Sequence, residues 1–353
     1  MTAALAVWLV LAACPALADA VRVATFHTDL SRKGPGLLLR DILSGRDAQV
    51  RAVVAVIGDA RPDVILLTGM DQDFDHHALT ALADALADAG AGYPHRLALP
   101  SNRGLATGLD LDGDGQTGGR EDAQGYGRFV GDGAMAILSR HPIDRAGVRD
   151  FSGFLWRDLP GGRIDAPAPV AAVQRLSSSG HWEVPVNLPG GVLRLLAWQA
   201  TPPLFGPGDR NARRNHDEAA FWLRLLDADL PFDPPQGSFV LLGQANADPF
   251  DGAGDKTALA ALLGHPRLQD PMPRGRGGGQ SPGQKGDPAL DTAAYRNDPG
   301  PGPLRVDYVL PSRDLRVTGA AVLWPPPDDT LAPAVQAASR HRLVWVDVDL
   351  PAR

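Results

Sequence analysis

A four-layered α/β sandwich, two facing mixed sheets with helices outside, is the fold class the sequence predicts. Runs of strand length recur along the chain and are apolar nearly throughout rather than alternating, so each needs cover on both faces. Segments with apolar residues at helical spacing fall between them and supply that cover. The 40 Gly and 32 Pro gather largely in the connections, as long loops between strands require.

Taken in order, Val21 to Phe26 predicts a strand ending at His27. Val50, Val53, Val54 and Ile57 mark a helix over Asp47 to Ala60; "RPDVILL" stops it and opens a buried strand that leads to Thr68, Gly69, Met70 and Asp71. A second helix covers Ala78 to Ala89. Further strands are expected over Ala134 to Leu138, Trp182 to Val186, Leu193 to Gln199, Phe239 to Leu242, Arg305 to Leu310 and Arg342 to Val348. Helices are expected over Asn215 to Leu226 and Lys256 to Leu263, the second with acids near its start, where the helix dipole favours them. Residues 273–303 open with "PRGRGGGQSPGQKGDP", too rich in Gly and Pro for a core element, and are expected as a surface loop.

With 353 residues, 44% of them hydrophobic, the chain can bury a large core, and residues 19–353 read as one domain. A net charge of -7 gives no general attraction to nucleic acid, so a phosphate-bearing or other anionic small ligand would need a local basic cluster. Residues 1–18, "MTAALAVWLVLAACPALA", are apolar and uncharged and end in Ala16, Leu17 and Ala18, a small-x-small pattern that reads as an export signal with a periplasmic or secreted product. Leu11 to Cys14 also fits a lipoprotein-processing site with Cys14 lipidated. The segment is too short to favour a membrane span, and no other apolar stretch is long enough. Cys14 is the only cysteine, so no intramolecular disulfide forms.

Several separate strands end in polar groups: His27, Asp71, Gln199, Gln244 with Asn246, Asp307, and Ser339, Arg340 and His341 ahead of the last strand. One such end merely reaches water. Gathered on one rim, they make a single pocket.

In order, "RVATFH", "DVILLTGMD", "TPPLFGPGDRNARRNHDE", "GQANADPFDG", "RVDYVLPS" and "SRHRLV" resemble the motifs of the endonuclease/exonuclease/phosphatase superfamily, in its exported bacterial branch. The resemblance implies a DNase I-like sandwich and divalent-metal hydrolysis of phosphate esters. Residue by residue, however, the family's first-strand Asn is His27 here, its metal-binding Glu is Gly69, and its catalytic His is Gln199. Its water-activating Asp is Gln244 and the Asp of its "S-D-H" is Arg340, while Asn246, Asp307 and His341 keep the family identity. A hard cation such as Mg²⁺ seeks carboxylate oxygens, and Gly69 offers none. Gln244 is no general base at ordinary pH. These substitutions imply a weak or inactive hydrolase, a pseudoenzyme whose His27 and Arg340 bind an anion directly. The alternative is an active divalent-metal-dependent phosphodiesterase or nuclease with rearranged ligands.

Two further motifs carry chemistry. "DLDGDGQTGGRE" matches the calcium-loop spacing D-x-D-x-D-G-x5-E, with Asp110, Asp112 and Asp114 as oxygen donors, Gln116 through its carbonyl and Glu121 as the closing carboxylate. No entering helix precedes it, so a structural calcium loop is expected. "GDRNARRNHDEAAFW" sets Arg210, Asn211, Arg213 and Arg214 just ahead of a helix, either as a phosphate cradle or as a loop pinned by ion pairs. His181, before Trp182, stands near a strand start and is the other histidine with a claim on the pocket.

Overall fold

The computed structural model describes residues 20–206 and 208–351; the expected export signal and Cys14 lie outside the described residues. The chain opens with β1 (Val21–Leu30), α1 (Leu37–Ser44), α2 (Ala48–Ala60), β2 (Val64–Met70) and α3 (His77–Asp88). β3 (His95–Leu97), β4 (Ala134–Ser139), β5 (Arg149–Asp150), α4 (Ala168–Val173), β6 (Gly180–Leu188) and β7 (Gly191–Gln199) follow. The remainder is α5 (Arg210–Leu226), β8 (Phe239–Gln244), α6 (Thr257–Leu263), β9 (Asp307–Pro311), β10 (Arg316–Val322), α7 (Ala332–Ala338) and β11 (Val344–Asp349). Among the described residues no helix is long and apolar enough to cross a membrane.

Two mixed sheets result, ordered β10-β11-β1-β2-β4-β3 and β5-β6-β7-β8-β9. Pleating sends alternate residues of each strand to opposite faces. Val21 and Val23 of β1, Val64 and Leu66 of β2, Leu193 and Leu195 of β7 and Val240 and Leu242 of β8 fill the layer between the sheets. The intervening Phe26, Ile65 and Leu67 pack under the helices of the first sheet. Leu196, Trp198 and Leu241 pack with Phe221, Trp222 and Leu259 beneath α5 and α6. Both faces of the central strands are therefore buried, which is why they read as unbroken apolar runs. Each fully buried side chain of this size contributes about 1.5–3 kcal/mol.

The same pleat continues past the apolar rows. His27 and Thr68, two residues beyond Thr25 and Leu66, extend the inner rows of β1 and β2; Gln199 and Gln244 extend those of β7 and β8. Asp307 stands two residues before Val309 on β9 and directly opposite Gln244. The pocket is thus the polar end of the layer between the sheets.

Six elements lie outside the sequence expectations, three of them the short β3, β5 and α4. α1 is a single short amphipathic helix entered from Gly36 in the left-handed region. α7 is one residue shorter, and β10 is a half-exposed strand at the sheet edge, without an apolar run. α5 starts earlier than expected, at Arg210, so the arginine cluster forms its first turns instead of preceding it. The expected surface loop, residues 273–303, needs correction as well. Asp291, Thr292 and Ala293 are buried, and Ala293 bridges both Leu304 and His341, so the segment's second half is part of the pocket wall.

Candidate functional site

A cavity of about 1040 Å³ opens at this polar end, and His27, Gly69, Gln199, Gln244, Asn246, Arg340 and His341 all line it. Asp307 lies just beneath, 1% exposed, and reaches the cavity through His341. Asp71 does not join them. Its carboxylate turns away and accepts the backbone N–H groups of Arg32 at 2.7 Å and Gly133 at 2.9 Å, with burial pushing its pKa up to about 6.

The residues at the ends of β1 and β2 fit one another. Gly69 has φ +68, and a Cβ built on it would lie 2.4 Å from Cε1 of the His27 ring. Imidazole therefore fills the volume that a side chain at position 69 would take. Nδ1 of His27 is 3.0 Å from Oγ1 of Thr68, and Nε2 is 3.4 Å from Oδ1 of Asp29. Burial first, and then the neighbouring His341, lower the pKa of His27 and favour the neutral ring.

Asp29, a residue the motifs did not flag, is the hub of this corner. It accepts Ser339 Oγ at 3.0 Å, the Arg340 backbone N–H at 3.0 Å and the Arg340 Nη2 at 2.9 Å. Burial opposes its charge, but the bonds from His27 and Arg340 outweigh that and hold its pKa well below the usual carboxylate range. Arg340 is thus paired within the protein through Nε and Nη2, and Nη1 has no partner among the described residues.

On the other side, His341 is 2% exposed and stands 4.4 Å from the His27 ring, centroid to centroid. Its Nδ1 meets Oδ2 of Asp307 at 2.7 Å, and its Nε2 meets the Tyr295 hydroxyl at 3.0 Å. Thr292 donates to the same Asp307 oxygen at 2.9 Å. Gln199 accepts Ser179 Oγ at 3.2 Å, Gln244 donates to Asn246 Oδ1 at 3.1 Å, and Asn246 donates to the Ala200 carbonyl at 2.8 Å.

The magnesium ion implied by the resemblance does not fit this donor set. Mg²⁺ demands near-octahedral oxygen coordination. Asp29 is consumed by Arg340 and Ser339, Asp307 Oδ2 by His341 and Thr292, and the His27 ring occupies the corner at Gly69. Asp307 Oδ1 and Gln244 Oε1 are the buried oxygens of this cluster left without a donor, and only the first belongs to a carboxylate. Among the described residues, the acidic and histidine side chains of the pocket do not converge on a point, whereas those of Asp110, Asp112 and Asp122 do.

That second cluster lies in the acidic loop. Asp110 accepts Gly113 N at 2.6 Å and Gly115 N at 2.8 Å, so the turn at Gly115 is formed as expected. Asp122, which accepts Leu111 N at 2.7 Å and Gly119 N at 2.8 Å, converges with Asp110 and Asp112, while Asp114, Gln116 and Glu121 stay outside that group. Asp122 is buried and Glu121 exposed.

The α5 cluster also lies elsewhere, and the cradle is corrected. Arg214 is buried and donates to the carbonyls of Gln124, Leu176, Arg175 and Ser177; Arg210 donates to Gln174 Oε1 at 2.6 Å. Arg213 pairs with Asp165 at 3.2 Å and Asp209 at 3.1 Å, and Asn211 donates to the carbonyls of Leu204 and Phe205. Their donors hold loops together and do not face the cavity. His181 is likewise in the core, stacked on Trp222 at 5.2 Å, where burial lowers its pKa to about 4.

The cationic groups that do line the cavity are Arg103, Arg128, Arg296 and Arg340. The first three come from loops and carried no motif. The acids beside them are already satisfied: Asp132 pairs with Arg128, Asp248 accepts the N–H groups of Phe250, Asp251 and Arg305, and Asp251 accepts those of Lys285 and Gly286. Unused guanidinium N–H groups are therefore the cavity's main offer to a ligand.

The sequence profile of the Endonuclease/Exonuclease/phosphatase family matches residues 41–341. Among solved structures, the chain is similar to an endonuclease/exonuclease/phosphatase from Beutenbergia cavernae, with TM-score 0.55 and 21% identity over 94% of this chain and 72% of that one. It is also similar to family proteins from Leptotrichia buccalis (TM-score 0.51, 14% identity, 94% and 100% covered) and Bacteroides vulgatus (0.51, 13%, 94% and 99%). At these identities the likeness is one of fold. No curated protein matches the sequence.

Proposed function

Because the chain belongs to the endonuclease/exonuclease/phosphatase family, we propose that it is an exported member that holds a phosphate-bearing ligand in the rim pocket without the family's magnesium-dependent hydrolysis. The filled corner at Gly69 carries this reading. Two substitutions far apart in sequence complement each other in space, with imidazole replacing the volume of the missing acid, and Arg340 has its own counter-ion in Asp29. A site falling into disuse would not need such matched changes. Phosphate recognition is supported by Arg103, Arg128, Arg296 and Arg340, whose planar donors suit phosphate oxygens. The apolar leader ending in Ala16, Leu17 and Ala18 supports export. The convergence of Asp110, Asp112 and Asp122 supports a structural calcium ion remote from the pocket chemistry.

The test is calorimetric titration of the mature chain with inorganic phosphate and a phosphomonoester, with chelator and with Mg²⁺. Binding that is equal in both conditions and weakened about ten- to a hundredfold by Arg340→Gln is expected, the loss of one charge-assisted contact being worth about 1.5–3 kcal/mol. Chelator-sensitive cleavage of DNA, RNA or simple phosphodiesters by the unmodified protein would establish the metal-dependent alternative instead.

A further inference from the structure

Tyr295 lines the pocket beside His341 and is not among the groups assigned to phosphate binding. Its hydroxyl lies 3.0 Å from Nε2 of His341, and Nδ1 of that ring lies 2.7 Å from Oδ2 of the buried Asp307. A carboxylate at Nδ1 keeps the proton on that nitrogen and leaves Nε2 with its lone pair. The Gln244 amide nitrogen, a donor 3.5 Å from Nε2, agrees with this tautomer, and with it the Tyr295 hydroxyl donates to Nε2. The chain fixes the pair firmly: Ala294 N donates to the Arg340 carbonyl at 2.8 Å and Ala293 bridges His341, so the segment leading to Tyr295 runs beside the one carrying the base. Arginines flank both partners in sequence, Arg296 next to Tyr295 and Arg340 next to His341, and both line the cavity that Tyr295 lines.

A hydroxyl bonded to an imidazole that is oriented by a buried carboxylate is the arrangement that activates a weak nucleophile. We propose that Tyr295 is the nucleophile of a metal-free phosphoryl transfer from phosphomonoesters bound in this pocket. The proposal rests on phosphate recognition there, but adds a reaction to it.

Burial first raises the pKa of the Tyr295 hydroxyl, so it does not ionise unaided. As its oxygen bonds to phosphorus, its proton passes to Nε2 of His341, and Asp307 offsets the charge on the imidazolium. The bond from phosphorus to the ester oxygen breaks, and the leaving alcohol takes the proton back from His341. Water then attacks the phosphotyrosine with His341 accepting its proton, the phosphorus–phenol bond breaks, and Tyr295 recovers the proton as inorganic phosphate leaves. The sum is hydrolysis of one ester bond, with no other reactant.

The experiment uses the mature chain in chelator with p-nitrophenyl phosphate, acid-quenched and read by intact mass and peptide mapping. A burst of p-nitrophenol and one phosphoryl group on Tyr295 are expected. Tyr295→Phe should abolish both while still binding inorganic phosphate, which shows that the variant is folded, and Asp307→Asn should slow the burst about a hundredfold or more. Uncharged diisopropyl fluorophosphate, which needs no anion site, should label Tyr295 with loss of fluoride. Phosphate binding with no adduct from either reagent, an adduct on another residue, or a burst that survives Tyr295→Phe would overturn the inference. Labelling of Tyr295 by the fluorophosphate without phosphate binding would show an activated hydroxyl but overturn phosphate recognition and, with it, transfer from phosphomonoesters.

Discussion

The His27 ring occupies the space that a side chain on Gly69 would need, with Cε1 2.4 Å from the position of a Cβ there. The two residues are neighbours across the β1 and β2 pairing, where His27 stands opposite Thr68. The two positions share one volume, which only one side chain can fill.

Gly69→Glu alone should therefore destabilise the protein by about 2–4 kcal/mol, from left-handed backbone strain and overpacking together. Adding His27→Asn should recover the overpacking share. Urea unfolding of the two single variants and the double variant gives the coupling energy, and strict additivity would show that the ring is not what excludes the side chain.

Arg214→Ala should cost about 3 kcal/mol or more, because it strips donors from several buried carbonyls at once. Phosphate affinity should not change. Thermal unfolding and calorimetry on the same variant separate this loop-bracing role from the phosphate cradle.

Calcium should raise the melting temperature of the unmodified protein, since converging carboxylates repel until a cation offsets them. Asp122→Asn should remove the increase and Glu121→Gln should leave it. The opposite pattern would return the closing role to Glu121.

His181 has a pKa lowered from 6.5 to about 4 by burial, so on acidification the unfolded chain takes up the proton first. Its contribution is complete above about pH 6.5 and is lost as pH falls towards 4, on the order of 3 kcal/mol in all. His181→Phe keeps the stacking on Trp222 and should flatten this acid arm. Denaturation midpoints across that window, compared with the unmodified protein, measure the difference.

Much of the fold was legible because burial on both faces leaves a direct imprint on composition. The runs at Val21 to Phe26, Leu193 to Gln199 and Phe239 to Leu242 could be read as covered strands without knowing what covered them. Edge elements such as Arg316–Val322, half exposed and mixed in polarity, leave no such imprint. Motif spacing found the acidic loop, but whether Glu121 or Asp122 turns inward depends on how the loop is held by Leu111 and Gly119.

By itself, the sequence determined the layering, the family resemblance and the strand ends that extend the inner rows: His27, Gln199, Gln244 and Asp307. Period-two pleating is a local rule, and it carries a position from an apolar row to its polar end. Only the tertiary structure decided the partners. Asp29 on Arg340, Tyr295 on His341, the His27 ring over Gly69 and the loop arginines Arg103, Arg128 and Arg296 are contacts between segments with no fixed spacing in the chain. A side chain's ionisation and reach are set by what folding places against it, and that placement is not written in any one stretch of sequence.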